Sequence, residues 1–360
     1  MNWESLDWEV LDRLRENFLS GDKTQGPYWH TITDLECYDF TYGERIGWKW
    51  DAVLAELKRR GWKPPGWSAL TPARSERTGA SPLHLPTILD WGCGSGIAGR
   101  RVVECFGAAN FSRLVLHDHS ELAMDYAEFR AKQEFPALAI ERSSVRFLRE
   151  DQPIGLLVVS HVVNELTDVA RAELAELCAR AQAILWVEPG THEVSRALGG
   201  WREQLRTHFQ LVAPCPHQAA CGVLAPGNER HWCHFFATPP AGVYADSCWV
   251  RFGQRAGIDL RSLPYAFLAL DRPSPLASRP SPSAPGLARI IGEPRLYKGY
   301  AKIFNCDAGG VAELMLQKRD APELLKAFKH DGAGTDFHRW THENGRITQI
   351  ASEPAANEPE

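Results

Sequence analysis

Residues 88–100 read Ile88-Leu89-Asp90-Trp91-Gly92-Cys93-Gly94-Ser95-Gly96-Ile97-Ala98-Gly99-Arg100. Two apolar β-formers run into an acidic residue, three glycines alternate with small residues, and a helix-compatible segment follows. This order predicts a strand, a tight turn and the N-terminus of a helix. Because glycines let a backbone approach a ligand closely, the turn favours a nucleotide-type ligand over a turn that binds nothing.

The acidic residue of this stretch indicates which ligand the turn binds. A dinucleotide places its pyrophosphate on the glycine amides, and Asp90 would repel that group. S-adenosylmethionine has no phosphate and carries an ammonium and a sulfonium, which a carboxylate favours. A second apolar run, 113–118, ends in an acid where a ribose-binding carboxylate belongs. The predicted S-adenosylmethionine-binding residues are Asp90, Gly92, Gly94, Gly96 and Asp118.

Strand and helix patterns alternate on both sides of the glycine turn. The alternation predicts a mostly parallel sheet covered by helices on both faces. Thr167 is the predicted N-cap of a helix over 167–182, and the runs 209–213 and 231–238 are predicted to close the sheet as an antiparallel pair. Strands are predicted at 87–90, 113–117, 144–148, 155–160 and 183–187. We therefore predict an α/β protein of the class I S-adenosylmethionine-dependent methyltransferase (Rossmann-like) fold.

The rest of the chain is predicted to add segments to this domain. Residues 271–288 are too rich in Pro and Ser to pack, which is typical of a linker. Short strand patterns after the linker indicate a small β appendage. The predicted organisation is an N-terminal helical extension at 1–84, the methyltransferase-like domain at 85–270 with a Cys-rich metal loop at 213–238, the linker at 271–288, the appendage at 289–340 and a tail at 341–360.

Polar residues follow the fourth predicted strand, at the sheet edge where ligands of open α/β sheets bind. They belong to Ser160-His161-Val162-Val163-Asn164-Glu165-Leu166, and the Asn-Pro-Pro-Tyr type motif of amino-methyltransferases is absent there. The candidate catalytic residues are His161, Asn164 and Glu165, which could position a nucleophile or act as a base. Capping of the following helix is an equally good explanation of the same residues.

A second group of chemically distinctive residues lies between 213 and 238. Three of the nine cysteines of the chain, Cys215, Cys221 and Cys233, fall within nineteen residues here. This clustering favours a metal site over plain packing. A fourth ligand from His217 or His234 would complete a zinc site, whereas Cys306 would complete an all-thiolate set that suits zinc or an iron-sulfur cluster. Spacing leaves these alternatives open.

Composition limits the classes of protein that the chain can belong to. Hydrophobic residues make up 44% and charged residues 24%, which are globular values, and the formal net charge is -5. The sequence has neither a long apolar run nor a signal-peptide start, and its cysteines do not suggest a disulfide framework. We therefore expect a soluble, cytoplasmic monomer that binds no membrane. Residues 201–340 carry more basic than acidic side chains, which permits contact with RNA.

The motifs above, taken together, resemble those of the bacterial and mitochondrial small-ribosomal-subunit methyltransferase-like family, the methyltransferase-like protein seventeen group. The resemblance spans roughly residues 38–340, and its most specific parts are Cys215-Pro216-His217 and Trp232-Cys233-His234-Phe235. It implies a class I fold with an S-adenosylmethionine pocket, a 4Fe-4S cluster and a role in small-subunit assembly through ribosomal RNA. Carried over by position, the cluster ligands are Cys215, Cys221, Cys233 and Cys306.

Three hypotheses for the function follow from the sequence. The leading one is an S-adenosylmethionine-binding methyltransferase that acts on or with small-subunit ribosomal RNA and carries the cluster, with zinc as the alternative metal. The second is a catalytically silent assembly factor that uses the same fold to bind ribosomal RNA. The third is a methyltransferase that acts on a small molecule or a protein.

Overall fold

A computed structural model describes residues 1–20, 29–65, 85–149, 152–273, 286–330 and 337–351. Within these ranges, none of the helices combines the length and the apolar character needed to cross a membrane. Most of the Pro/Ser stretch predicted as a linker, and the end of the predicted tail, lie outside the described residues. The chain forms two compact units, one of Met1–Glu188 with Ala237–Leu263 and one of Pro189–Phe236 with Pro264–Glu360.

The helices and strands are numbered here in chain order. The helices are α1 (Trp8–Ser20), α2 (Ile32–Tyr38), α3 (Glu44–Arg59), α4 (Ile97–Phe106), α5 (Glu121–Glu134), α6 (Val145–Arg149), α7 (Asp168–Arg180), α8 (His192–Leu205), α9 (Ser247–Ala256) and α10 (Pro322–His330). The strands are β1 (Thr87–Trp91), β2 (Arg113–His117), β3 (Ala139–Arg142), β4 (Ile154–Ser160), β5 (Ala181–Pro189), β6 (Gln210–Ala213), β7 (Phe235–Phe236), β8 (Pro264–Asp271), β9 (Leu287–Tyr297), β10 (Tyr300–Asp307), β11 (Gly310–Gln317), β12 (His338–Glu343) and β13 (Arg346–Ala351).

The first unit is built on a parallel sheet with the strand order β3-β2-β1-β4-β5. Its central strands are apolar along their length and buried on both faces, as Leu89 and Leu157 are, which is typical of a sheet covered by helices. The strand order reverses between β1 and β4, so the ligand site of such a sheet lies beyond the carboxyl ends of these strands. This parallel α/β architecture confirms the predicted class I methyltransferase fold.

Aromatic side chains join the N-terminal helices to α9 within the first unit. The ring of Trp249 lies 5.1 Å from that of Trp3 and 5.0 Å from that of Trp48. Phe252 contacts Tyr42 in the same cluster at 5.0 Å. Aromatic pairs of this kind add to the stabilisation that comes from burying apolar area. A segment late in the chain thus completes the packing of its first helices.

The prediction of a strand at 144–148 is wrong. The third strand is Ala139–Arg142, which pairs in parallel with β2, and residues 145–149 form α6. The alternation Val145, Phe147 resembles a strand, but the hydroxyl of Ser144 accepts a hydrogen bond from the Phe147 amide at 3.0 Å and so caps a helix. The predicted N-cap Thr167 is confirmed, since its side chain accepts from the Ala170 amide at 3.2 Å.

The runs 209–213 and 231–238 do not pair with each other, which corrects the predicted closing pair. Within the second unit, β6 and β7 each pair antiparallel with β8, Leu211 opposite Leu270 and Phe235 opposite Tyr265. The sequence prediction missed β8. The loop that carries Cys215 and Cys221 therefore joins two strands, β6 and β7, that pair with different parts of β8.

The second unit also contains a closed five-stranded barrel with the order β10-β11-β13-β12-β9. Its interior is apolar, with Ala301, Ile303, Leu314 and Leu316 buried, and Phe328 of α10 packs in the same core. The strands β12 and β13 continue the appendage beyond residue 340. The first strand of the barrel, β9, begins at Leu287, inside the range predicted as linker.

Candidate functional site

A cavity of about 370 Å³ lies beyond the carboxyl ends of β1, β2 and β4 in the first unit. Its volume falls within the range of small-molecule sites. Of the residues predicted to bind S-adenosylmethionine, Gly92, Gly94 and Asp118 line this cavity, whereas Asp90 and Gly96 do not. Of the candidate catalytic residues, His161 and Glu165 line the cavity, whereas Asn164 does not.

The glycine turn adopts backbone conformations that other residues rarely accept. Gly92, Gly94 and Gly96 have φ values of 69°, 50° and 76°. A Cβ atom on Gly92 would lie 2.7 Å from Val162 Cγ1, so only glycine fits there, whereas the corresponding position on Gly94 has no atom within 4 Å. Gly94 thus exposes its backbone to the cavity, and any side chain there would enter the space that a ligand would occupy.

Asp118 holds the wall of the cavity in place. Its Oδ2 accepts a hydrogen bond from the Gly94 amide at 2.9 Å, and its Oδ1 accepts one from the Ser120 amide at 2.9 Å. The carboxylate therefore ties the glycine turn after β1 to the start of α5. It still borders the cavity, where a carboxylate after the second strand is suited to accept bonds from a ribose.

Asp90 does not face the cavity, which corrects the predicted contact with a bound cation. Its side chain is fully buried, and its Oδ2 accepts a hydrogen bond from the Gly99 amide at 2.9 Å in the first turn of α4. Burial raises the pKa of this carboxyl to about 7, with a smaller contribution from the charge of Asp118. The residue fastens β1 to the helix that follows the glycine turn.

The backbone of His161 is strained at the cavity wall. Its φ is 57°, a left-handed value that costs a non-glycine residue about 1–3 kcal/mol and that is common at functional sites. Nε2 of the ring lies 3.1 Å from Lys49 Nζ, and Nδ1 lies 3.2 Å from Ser160 Oγ. The indole of Trp50 donates to the same hydroxyl at 2.9 Å. The imidazole is thus fixed on both sides.

Lys49 is the functional candidate that the sequence did not indicate as part of this site. It lies on α3, 112 positions before His161, and a partner so distant leaves no local pattern. Burial, with a smaller contribution from the charge of Arg45, lowers the pKa of Lys49 to about 7. Burial and the charge of Lys49 hold the pKa of His161 well below its usual value. A neutral imidazole can therefore accept the hydrogen bond that Lys49 donates.

Glu188 supports this wall from behind. It is fully buried, and its Oε1 accepts hydrogen bonds from the amides of Val162 at 3.0 Å and Val163 at 3.2 Å and from the Trp186 indole at 2.7 Å. These bonds fix the segment that follows β4 and carries His161. Glu188 is thus a positioning residue rather than one that contacts a ligand.

A second cavity, in the second unit, is lined by all four predicted cluster ligands, Cys215, Cys221, Cys233 and Cys306. The first three come from the loop between β6 and β7, and the fourth comes from β10 of the barrel. His217 lines the same cavity, with Nε2 at 3.6 Å from Cys306 Sγ, but His234 does not. The structure thus brings together residues that are up to about ninety positions apart in the sequence.

The loop that carries these cysteines packs directly on the barrel. A Cβ on Gly222 would lie 2.7 Å from the Cα of Gly310, so the two backbones touch. The ring of His231 stacks on Phe304 of β10 with centroids 4.2 Å apart. These contacts explain how Cys306 reaches the cysteine loop.

Two buried arginines border the cysteine cavity. Arg202 donates from Nε to Cys215 Sγ at 3.2 Å and from Nη2 to the carbonyl of Ala219 at 2.8 Å. Arg289 lies with its guanidinium 4.0 Å from the ring centroid of Phe235. Burial raises the pKa values of Cys221, Cys233 and Cys306, and charge on the neighbouring cysteines raises them further. Burial thus disfavours the charged form of these three thiols.

In the part of the chain that the structure describes, no three His, Cys, Asp or Glu side chains converge closely enough to hold a single metal ion. The four cysteines nevertheless line a common cavity.

Comparison with known proteins shows the family of the chain. No sequence among the curated proteins compared matches it. Several solved methyltransferases are similar in structure. The N-methyltransferase NodS from Bradyrhizobium japonicum, in complex with S-adenosylhomocysteine, has 13% identity, a TM-score of 0.36 and coverage of 72% of this chain and 99% of that chain.

Two further solved structures are of the same kind. Magnesium protoporphyrin IX methyltransferase from Synechocystis has 12% identity, a TM-score of 0.36 and coverage of 74% of this chain and 100% of that chain. The 16S rRNA methylase RmtB has 9% identity, a TM-score of 0.35 and coverage of 74% and 76%. A family model described as mitochondrial small ribosomal subunit Rsm22 matches residues 63–337 of this chain. The chain, a methyltransferase-like protein linked to the small ribosomal subunit, thus belongs to the Rsm22 family, as the resemblance in its motifs predicted.

Proposed function

We propose that this protein is an S-adenosylmethionine-dependent methyltransferase that acts on ribosomal RNA of the small subunit. The observation that carries the proposal is the cavity beyond β1, where glycines in left-handed conformations meet a carboxylate after β2. Asp118 would hold the ribose of S-adenosylmethionine there, and the exposed backbone of Gly94 would let the cofactor approach closely. The bound cofactor supplies a methyl group on a sulfonium.

We propose that the reaction is served by His161, which lines the cavity, and by Lys49, which does not line it but contacts His161. Lys49, with a pKa of about 7, is partly uncharged at neutral pH and can take a proton or donate one. His161 holds the amine of Lys49 in place at 3.1 Å, and Ser160 and Trp50 hold His161. We propose that Lys49 and His161 orient the acceptor nucleotide and accept its proton. Glu165, which also borders the cavity, lies where it can contact the acceptor.

We also propose that Cys215, Cys221, Cys233 and Cys306 hold a 4Fe-4S cluster. A zinc ion needs its sulfurs about 2.3 Å from one point, whereas a four-iron cluster takes each thiolate on a different iron atom and so accepts sulfurs that lie farther apart. All four cysteines line one cavity, which supports a shared metal group there. The buried cations Arg202 and Arg289 suit its net negative charge.

Methyl transfer is tested with small-subunit ribosomal RNA from cells that lack the protein. Purified protein and radiolabelled S-adenosylmethionine should label this RNA, and mass spectrometry should locate one nucleotide that is methylated only in cells with the protein. Lys49→Met should lower the rate at least about tenfold while S-adenosylmethionine affinity stays within a few-fold, because Lys49 contacts His161 but does not line the cavity. Lys132→Met, on α5, is the matched control and should behave as wild type.

The absence of an Asn-Pro-Pro-Tyr type motif after β4 favours a second candidate, a silent assembly factor that binds ribosomal RNA. In that case small-subunit RNA binds tightly and no nucleotide differs in methylation. Labelling of a protein or a small molecule in a cell extract, with none in RNA, would instead support the third hypothesis. Both outcomes contradict RNA methylation, and they are told apart by where the label appears.

A further inference from the structure

The strand order of the barrel in the second unit is one that occurs in ligand-binding barrels. The strands β9, β10 and β11 form an antiparallel meander, β12 pairs antiparallel with β9 and β13, and β13 runs parallel to β11. The helix α10 connects the third barrel strand to the fourth. This order is that of the oligonucleotide- and oligosaccharide-binding fold, whose ligands lie across the second and third strands between two loops.

The outer face of the corresponding strands, β10 and β11, has one covered end and one open end. Phe304 stacks on His231 and Cys306 lies at the cysteine cavity, so the end near Cys306 is covered by the cysteine loop. At the other end, Tyr300 lies opposite Gln317, and Lys302 lies opposite Met315. This open end also meets the second loop, since the Met315 amide donates to the carbonyl of Gly345 at 2.8 Å.

Two tyrosines form a stacked pair at the open end. Tyr297 and Tyr300 flank the turn between β9 and β10, with ring centroids 4.7 Å apart and planes 8° from parallel. Tyr297 is 42% exposed. Burial of an aromatic ring stabilises a fold, so a ring that is left exposed favours a role in binding. A flat aromatic surface on such a barrel is suited to stacking with an unpaired base.

The charge around the tyrosine pair is complementary to a phosphate backbone. The segments 293–302 and 313–320 together carry five basic and three acidic side chains. Arg295 and Lys302 both pair with Glu313, so one carboxylate neutralises only part of the positive charge of these two side chains. The Lys318 amide donates to the carbonyl of Gly299 at 2.8 Å, which places Lys318 beside the turn that carries Lys298. A nucleic acid strand that crosses β10 and β11 would thus meet a net positive surface.

We infer that this tyrosine face, defined by Tyr297, Tyr300, Lys298, Lys302 and Lys318, is a binding site for single-stranded RNA. Unpaired bases stack on Tyr297 and Tyr300, and the lysines contact the phosphates. A duplex is excluded from this mode, because its bases are not available for stacking on a protein ring. The choice of RNA over DNA rests on the proposed function, whereas the single-strand site rests on the barrel alone.

The test uses the full chain and labelled oligonucleotides of about 12 residues, within the site size of such barrels. Fluorescence anisotropy should show binding of oligouridylate, weaker binding of oligothymidylate and little binding of an RNA duplex of the same length. Tyr297→Ala and Tyr300→Ala should each weaken oligouridylate binding about 5- to 150-fold. Tyr297→Phe, which keeps the ring, should bind as wild type, and Tyr244→Ala, an exposed tyrosine of the first unit, should have no effect.

Several results would overturn the inference. The first is that wild-type protein does not bind oligouridylate. The second is that the alanine variants bind it as tightly as wild type does. The third is that oligothymidylate binds more tightly than oligouridylate. An unchanged thermal unfolding midpoint of the alanine variants would show that the barrel is intact. If the alanine variants are unstable, Tyr297→Phe still tests whether the aromatic ring alone is enough for binding of oligouridylate. S-adenosylmethionine titration of the same preparations separates this inference from the proposed function, because the cofactor cavity lies in the first unit.

Discussion

Arg202 donates from its Nε to the Sγ of Cys215 at 3.2 Å, and only 2% of the arginine side chain is exposed. A buried guanidinium is costly unless it faces negative charge. Glu203 provides that charge through an ion pair with the Arg202 guanidinium, and a metal group held by Cys215 would add negative charge from the sulfur side. Arg202 therefore keeps a positive charge beside the cysteine cavity, which favours a negatively charged group there.

Cys306→Ser should abolish the proposed cluster. Anaerobically purified wild-type protein should be brown, with broad visible absorption and iron and sulfide in equal amounts, and the variant should be bleached. Since metal binding contributes to folding stability, residues 287–330 of the variant should also become more sensitive to protease. Cys248→Ser, on α9 of the first unit, is the control and should keep the colour. A colourless wild-type protein with one zinc per chain would contradict the iron-sulfur assignment, and a protein without metal would contradict both metals.

Gly94→Val should prevent S-adenosylmethionine binding and leave the protein folded. The φ of 50° is unfavourable for a β-branched residue, by about 1–3 kcal/mol, and the new side chain would point into the cavity. Calorimetry should show at least about a tenfold loss of affinity. Gly61→Val has similar strain at a φ of 67° with no neighbouring atom and should keep the affinity. Equal affinities for the two variants would show that Gly94 does not border the ligand.

Asp90→Asn should change how stability depends on pH. Burial raises the pKa of Asp90 to about 7 from an unfolded value of 3.8, so the folded state binds the proton more tightly than the unfolded state does. The stabilisation is complete below pH 3.8 and is lost as pH rises through about 7. The asparagine keeps the acceptor for the Gly99 amide without this loss.

Urea unfolding of wild type and Asp90→Asn at several pH values measures that effect. The variant should gain stability relative to wild type between about pH 4 and 7, with a constant difference above that range. Because both proteins contain Glu188, whose pKa burial also raises to about 7, the difference isolates Asp90. A difference that does not change with pH would show that Asp90 titrates normally. S-adenosylmethionine affinity should stay within a few-fold, as expected for a residue outside the cavity.

Charge reversal on the tyrosine face should make RNA binding less sensitive to salt. Each phosphate contact contributes about 0.7 to the slope of the logarithm of affinity against the logarithm of salt concentration for a single strand. Lys298→Glu and Lys302→Glu should each weaken oligouridylate binding and flatten that slope by about one contact. Lys132→Glu, on an exposed position of α5, should do neither. A slope that stays at the wild-type value in all three variants would remove these lysines from the interface.

The elements that could be predicted from the sequence are those with local signals. The glycine turn at Gly92 to Gly96 needs only its own residues, and the cap at Thr167 needs only the amide three positions on. The third strand was misplaced because Val145 and Phe147 alternate as in a strand, whereas the deciding contact is the Ser144 hydroxyl at the start of α6. The cysteine loop and Cys306 were placed at one site through the family resemblance and not through spacing.

The parts of the site that could not be predicted depend on long-range contacts. The pKa of Lys49 is lowered mainly by its burial, and its contact with His161 joins residues that are 112 positions apart. Asp90 was assigned to the ligand because its charge suits a cation, but its direction is set by the Gly99 amide. The strand β8 was missed because its pairing partners, such as Leu211 and Phe235, are distributed over an earlier segment.

The division of the first unit into Met1–Glu188 and Ala237–Leu263 has a consequence for synthesis of the chain. Trp3 and Trp48 can contact Trp249 only when that residue has left the ribosome, by which time three of the four cavity cysteines have already emerged. Apolar surface exposed during that interval is prone to aggregation, because domains fold as their segments are completed. We therefore expect newly made chain to bind a chaperone until α9 is complete, and nonsense mutations before residue 249 to give insoluble fragments.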